Sequence, residues 1–316
     1  MSLPRVLTDQ HGRTIRKLRV SLTDKCNLRC HYCMPVDATF MEEGRFLSPA
    51  EYEEFVAELV GYGLEELRLT GGEPLVRSSF PEIADRLGAL PLKKIGLTTN
   101  GVLLKRALPV LKRNRILHLN VSLDSLDAEN FRKITNGNRL PLVLDGIESA
   151  VREGFHVKIN VVAMRGVNDH EFPDFVELGK RLGVEVRFLE LMRIGFALKE
   201  QANQFISAAE IMRSLQPRYS FRPQSREKDS TSVNYVTACG AEVGFIASES
   251  QAFCGQCSRW RLSADGVLRA CLLKDDGLSV RHTSPEQRAD IYARVLGMKP
   301  FLRPKEVMHQ MNAIGG

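Results

Sequence analysis

A chain of 316 residues, 43% hydrophobic and 26% charged, can bury a sizeable core as one large domain or two modest ones. Seven cysteines, an odd number behind an N-terminus without an apolar signal stretch, exclude a disulfide framework and predict reduced thiols in the cytoplasm. No apolar run approaches the roughly 18 residues of a membrane span, so no membrane partner is expected, and a net charge of +6 fits an anionic partner without naming one.

In chain order, six runs rich in β-branched and apolar residues predict strands: 17–22, 66–70, 94–99, 116–123, 156–164 and 185–192. Helical patterns lie between them. The clearest begins at Ser48 as N-cap, with Pro49 in the first turn and Glu51 completing a capping box, and ends near Gly61 or Gly63. The patterns at 141–154 and 170–183 each close on a glycine. Lys105, Arg106, Lys112, Arg113 and Arg115 fall on a further helix and read as its solvated face.

Strand–helix alternation predicts a parallel sheet with right-handed crossovers. Nearly every strand ends in polar, glycine or sulfur residues, among them "TDKC", "GGEP", "TNG" and "SLD". A barrel with its site at the C-terminal rim has that arrangement. The fold class is therefore α/β: an incomplete (β/α)6 TIM-type barrel over 1–195, followed by a smaller C-terminal α+β domain over 196–316. Within the latter, 259–273 predicts a hairpin turning at Asp265-Gly266, and 284–296 a late helix before the tail "MNAIGG".

The cysteines form two triads, Cys26, Cys30, Cys33 and Cys254, Cys257, Cys271, with Cys239 left over as a packed thiol. One reading is zinc, with His31 making up a ligand set, in a nucleic-acid-binding protein suggested by the pI near 9.0. No interleaved aromatic and basic face supports that reading, so nucleic acid is not an expected partner. The other reading is two iron–sulfur clusters, each held by three thiolates and so keeping one iron open.

"CNLRCHYC" and "LTGGEPLVR" resemble the signature and glycine-rich strand end of the radical S-adenosylmethionine (SAM) superfamily. Over essentially the whole chain, "RVSLTDKCNLRCHYCMP", "GLTTNGVLL", "NVSLDSL", "FCGQCSRWRLSADGVLRACL" and the terminal Gly-Gly resemble the GTP 3′,8-cyclase family, which opens molybdenum cofactor biosynthesis. The resemblance implies two [4Fe-4S] clusters: a SAM cluster on Cys26, Cys30 and Cys33, and a substrate cluster on Cys254, Cys257 and Cys271. It implies SAM contacts at Tyr32, Gly72, Ser122 and Met192. GTP contacts follow at Arg19, Arg68, Thr98, Lys158, Arg187, Arg259 and Arg261. Arginine forks suit phosphate oxygens, and Arg259 and Arg261 alternate along a strand toward one face.

The implied partners are GTP, a flavodoxin- or ferredoxin-like electron donor and a downstream cyclic pyranopterin monophosphate synthase; a homodimer is expected. The implied Gly315-Gly316 tail inserts toward the site. Glu66 stands where the family commonly has a lysine; three readings stay open, a pairing with a neighbouring arginine, weaker GTP binding, or a divergent paralogue. The nearest rival is a peptide-modifying radical SAM protein with a cysteine-rich extension. The second triad's spacing, the Arg259 and Arg261 pair and the Gly-Gly tail favour the cyclase family.

Overall fold

The predicted strands form where their β-branched runs place them. In the computed structural model, which describes residues 6–226, 229–305 and 307–315, they are β1 Lys17–Ser21, β2 Glu66–Thr70, β3 Lys94–Thr99, β4 His118–Ser122, β5 His156–Ala163 and β6 Glu185–Glu190. Six further strands follow: β7 Phe221–Pro223, β8 Val233–Thr237, β9 Glu242–Ile246, β10 Arg259–Leu262, β11 Val267–Arg269 and β12 Leu278–Ser279. All twelve belong to one sheet, ordered β12-β11-β10-β1-β2-β3-β4-β5-β6-β9-β8-β7.

The boundary expected at residue 195 is no break in that sheet. β9 adds parallel to β6, and β10 adds parallel to β1, so the later residues extend the barrel at both edges. The physical reason is the unpaired row of N–H and C=O groups that β1 and β6 would otherwise present. Antiparallel hairpins, β10–β11–β12 on one side and β7–β8–β9 on the other, finish the sheet, and among the described residues β12 and β7 do not pair. The barrel is therefore incomplete, as the six-unit pattern predicts.

Six helices cover the outside of the first half: α1 Pro49–Gly61, α2 Phe80–Gly88, α3 Leu104–Arg113, α4 Ala128–Thr135, α5 Leu140–Arg152 and α6 Phe172–Leu182. The Ser48–Glu51 capping box forms, with Ser48 N–H donating to Glu51 Oε2 at 2.7 Å and Glu51 N–H to Ser48 Oγ at 3.2 Å. α6 ends at Gly183 in the left-handed region, φ +63°. The basic residues of α3 form the solvated face expected, Lys105 pairing with Asp145 and Arg113 with Asp85. No helix among the described residues is long and apolar enough to cross a membrane.

Strand periodicity divides the barrel into an apolar outside and a polar inside. Leu18, Val20, Leu67, Leu69, Leu97, Leu119, Val121, Ile159, Val161, Val186 and Phe188 are buried against the helices. The alternate positions, including Arg19, Arg68, Thr98, Asn120, Lys158, Asn160 and Arg187, line a cavity instead. Cys239 departs from its expectation as a packed thiol. It is exposed beyond β8, within 3.1 Å of Thr237 Oγ1.

Candidate active site

The cavity follows the barrel axis with a volume of about 610 Å³. The residues expected to bind the clusters, SAM and GTP all border it: both cysteine triads; Tyr32, Gly72, Ser122 and Met192; and Arg19, Arg68, Thr98, Lys158, Arg187, Arg259 and Arg261, whereas His31 and Cys239 do not. Sequence separation hid this convergence, which the parallel register produces.

At the upper end, the loop leaving β1 carries Cys26, Cys30 and Cys33. The end of β2 is pressed against this loop. Gly72 N–H donates to the Thr23 carbonyl at 2.7 Å, and Glu73 N–H to the Lys25 carbonyl at 2.9 Å. A Cβ on Gly72 would meet the Lys25 carbonyl and lie 2.6 Å from that of Asp24, so only glycine permits the approach. Glu73 fixes the neighbouring turns, accepting from Leu75 N–H at 3.0 Å, Thr99 Oγ1 at 2.8 Å and Asn100 N–H at 2.6 Å. Burial pushes its carboxyl up to about 7 against those hydrogen bonds. Tyr32 donates to Asp124 Oδ2 at 2.6 Å, and burial lifts Asp124 to about 6.

Burial also raises Cys26 and Cys30, and lifts Cys33 to about 12. Thiols held protonated by burial become thiolates when metal replaces the proton. Beside them the side-chain carbonyls of Asn160 and Asn312 are buried in the cavity wall without a hydrogen-bond partner. Three sulfur donors and orphaned acceptors around a polar cavity fit an iron–sulfur cluster with a small polar ligand.

The second triad occupies the other end. Register sets Arg259 opposite Lys17, at the start of β1, whereas the first triad follows Ser21 at its close. Those ends are ~13 Å apart at the rise of an extended strand. Cys254 and Cys257 sit on a short turn closed by Cys257 N–H to the Cys254 carbonyl at 3.1 Å, and Cys271 Sγ accepts from Leu273 N–H at 3.4 Å. Burial alone would raise Cys257, but the cations of Arg259 and Lys299 outweigh it and bring the thiol down to about 6.

Between the triads lies a concentration of positive charge. Arg261, Arg19 and Arg68 stand side by side across three strands, with Gly96 next in register. The Arg68 guanidinium lies over Gly96, where a Cβ would come within 2.9 Å of its Nη2. Burial, then the charges of Arg261, Arg259 and Arg68, hold Arg19 well below the usual arginine range. Arg68 and Arg261 are lowered to about 10, chiefly by burial. Buried like charges at this spacing suit an anionic guest.

The chain matches the Radical SAM superfamily over residues 20–179 and Molybdenum Cofactor Synthesis C over 184–300. It is 55% identical to the GTP 3′,8-cyclase of Synechocystis sp. across 100% of this chain and 97% of that protein. With the enzyme of the same name from Aquifex aeolicus it is 40% identical over 88% of each chain. The chain belongs to the GTP 3′,8-cyclase family of radical SAM proteins. This excludes the zinc-stabilised nucleic-acid-binding reading. Among the described residues no three His, Cys, Asp or Glu side chains close on a single-ion site, and His31 Nδ1 lies instead 3.3 Å from the Ile134 carbonyl. Streptococcus suis SuiB bound to S-adenosylmethionine shares the fold, with TM-score 0.66 at 12% identity over 91% of this chain and 68% of that one.

In this member of the GTP 3′,8-cyclase family Glu66 forms its ion pair with Lys17, at 3.2 Å. The register sets Lys17 directly beside Glu66 and supplies the opposite charge from the next strand. The tail does enter the cavity region: the Gly315 carbonyl accepts from Arg261 Nη1, while Gly316 lies outside the described residues. Sequence reading missed Asp124, Asn160, Glu185 and Lys299. Asp124 lies within the quoted strand-end motif "NVSLDSL", and Asn160 within the strand run 156–164, which was the available signal. Glu185 is tied to Lys158 Nζ across the β5–β6 register and to Arg187 Nε along its own strand, each at 2.5 Å.

Proposed function

We propose that the cavity holds GTP between two [4Fe-4S] clusters and converts it, with SAM, to (8S)-3′,8-cyclo-7,8-dihydroguanosine 5′-triphosphate, the first step of molybdenum cofactor biosynthesis. The observation that carries this reading is the row Arg19, Arg68 and Arg261, set side by side midway between two three-thiol sites, with Arg259 beside the second. A cluster bound by Cys26, Cys30 and Cys33, together with SAM, supplies reductive cleavage to methionine and a hydrogen-abstracting 5′-deoxyadenosyl radical when reduced.

The chain's own residues do the rest. Tyr32, Gly72, Ser122 and Met192 border the upper cavity, where SAM binds; Gly72 admits a backbone approach that a larger residue would block. Arg19, Arg68, Arg259 and Arg261 neutralise the triphosphate with bidentate forks, joined by Lys158, Arg187 and Thr98 from the far wall. Cys254, Cys257 and Cys271 would hold the second cluster, which would supply a Lewis-acidic iron to the purine end of the nucleotide. Fixing both ends of the nucleotide orients its ribose toward the upper site and limits water around the reacting carbon. Residues 1–195 supply the SAM half, and 196–316 supply the second cluster and the tail. A flavodoxin- or ferredoxin-like donor provides the electron, and a cyclic pyranopterin monophosphate synthase takes the product. The cytoplasm, with the chain as a homodimer, is the setting we assign.

The test uses anaerobically reconstituted, reduced protein with SAM. 5′-Deoxyadenosine and cyclised guanine product are quantified with GTP, with ATP and without nucleotide. GTP-dependent product is expected, and a Cys254→Ala, Cys257→Ala, Cys271→Ala protein should drop from about eight irons to about four and make none. SAM cleavage indifferent to GTP would overturn the substrate assignment.

A further inference from the structure

Lys299 follows the last long helix, Pro285–Gly297, and is only 4% exposed. A buried lysine is expensive unless its charge is met. Here Nζ has three neighbours from three segments: Cys257 Sγ at 3.4 Å, the Arg259 carbonyl at 2.7 Å and the Ala270 carbonyl at 3.1 Å. An ammonium has three N–H donors, so this set uses each of them. The two carbonyls flank the second triad, one two residues after Cys257 and one just before Cys271. Lys299 thus ties both arms of the triad together from behind.

Its own backbone is anchored in turn. Arg13, buried and paired with Asp9 at 2.6 Å, donates to the carbonyls of Cys254 at 2.7 Å, Pro300 at 2.8 Å and Lys299 at 3.0 Å. A turn near the start of the chain therefore locks the lysine-bearing segment to the Cys254 arm. All three cysteine arms are held by two buried cations, only one of which reaches a sulfur.

We propose that Lys299 is a positioning residue for the second cluster: its ammonium hydrogen-bonds the Cys257 thiolate and keeps a fixed positive charge beside it. The proposal rests on the second-cluster reading above. A hydrogen bond and a cation at a ligating sulfur offset the negative charge of a thiolate-bound cluster. They favour its reduced form and slow its loss. The lysine needs no contact with the nucleotide to act in this way.

The experiment uses the full chain with Cys26, Cys30 and Cys33 replaced by Ala, so that every iron signal comes from the second triad. Protein reconstituted with ferrous iron and sulfide is followed by electron paramagnetic resonance during a redox titration. Iron loss to a ferrous chelator is timed in parallel. Lys299→Met should release iron about tenfold faster or more and show a lower midpoint potential, and Lys299→Arg, which keeps the charge, should recover much of both. Should Lys299→Met fail to fold, Lys299→Arg and Lys299→Gln, one charged and one neutral, make the same comparison. Release rates within twofold of the parent, with an unmoved midpoint, would overturn the proposal. A parent that takes up no cluster at all would overturn the second-cluster reading itself, which is a different and distinguishable result.

Discussion

Glu185 offers the sharpest test of how the cavity manages charge. Its carboxylate is 5% exposed and bridges Lys158 and Arg187, two of the cations assigned to the triphosphate. Burial works against its ionisation, yet the charges and hydrogen bonds of Arg187 and Lys158 hold it below the usual carboxylate range. Glu185→Gln keeps the shape and removes one negative charge from the cavity wall. For a phosphate charge ~6 Å away at an effective dielectric of ~20, that charge is worth ~2.8 kcal/mol of repulsion, or ~100-fold in binding.

Neighbouring cations and water reduce this, so GTP should bind the variant about 10–100-fold more tightly by anaerobic titration calorimetry. The free protein should lose about 3 kcal/mol of stability, because Lys158 and Arg187 are left facing each other without their counter-ion. Denaturant unfolding reads that loss, and GTP should restore part of it. GTP affinity unchanged or weaker, in a variant that is measurably destabilised, would refute the assignment of Lys158 and Arg187 to the phosphates.

Three further outcomes follow from the geometry. His118 stacks on His156 with ring centroids 4.8 Å apart, and burial, then Lys94, His156, Arg68 and Lys158, lower it from 6.5 to about 4. Stability should therefore be full above pH 6.5 and fall between 6.5 and about 4, where the unfolded chain takes a proton that the folded one refuses. Because this ring is partly exposed, the loss should be screened to about 1–2 kcal/mol, and a His118→Gln protein whose unfolding curve keeps the same slope in that window would contradict it. Gly72→Ala forces a methyl into the Lys25 and Asp24 carbonyls and should cost about 1–3 kcal/mol; iron analysis should show the first cluster lost and the second retained. Gly315→Ala sets a Cβ against Thr70 Oγ1, 3.2 Å from Ser21 Cβ, at φ +75°. It should cut product yield about tenfold through a local strain of about 1–2 kcal/mol, lowering the melting temperature by no more than a few degrees; full yield would show that the tail's position is immaterial.

Much of this architecture is readable before folding is considered. The β1–β6 runs are separated by amphipathic helices, two of them, α1 and α4, with a side-chain N-cap, so local patterning alone places them. The cysteine triads announce themselves by spacing. What patterning does not carry is partnership across the register. Glu185 looks like any strand-edge acid in "EVRFLE", and only the neighbouring β5 reveals that it restrains Lys158. Glu66 seems misplaced until Lys17 is found beside it. Lys299 sits in an unremarkable "GMKPF" and acquires meaning from two carbonyls and a sulfur distant in the chain. β10 is short and follows an irregular stretch, and β9 closes a hairpin with β8, so nothing local says that they run parallel to β1 and β6.

That last pairing shapes how the protein can be made. A ribosome that has released residues 1–195 has produced six strands whose two flanks are bare, because β9 and β10 are still unsynthesised or unpaired. Each flank is an open template for another chain. Docking of β10 onto β1 joins residues from nearly opposite ends of the polypeptide, a long loop to close and a slow event relative to helix formation. The molecule should consequently depend on protection during synthesis. The first half expressed alone should aggregate, and supplying the second half in trans should rescue it only while both flanks remain free.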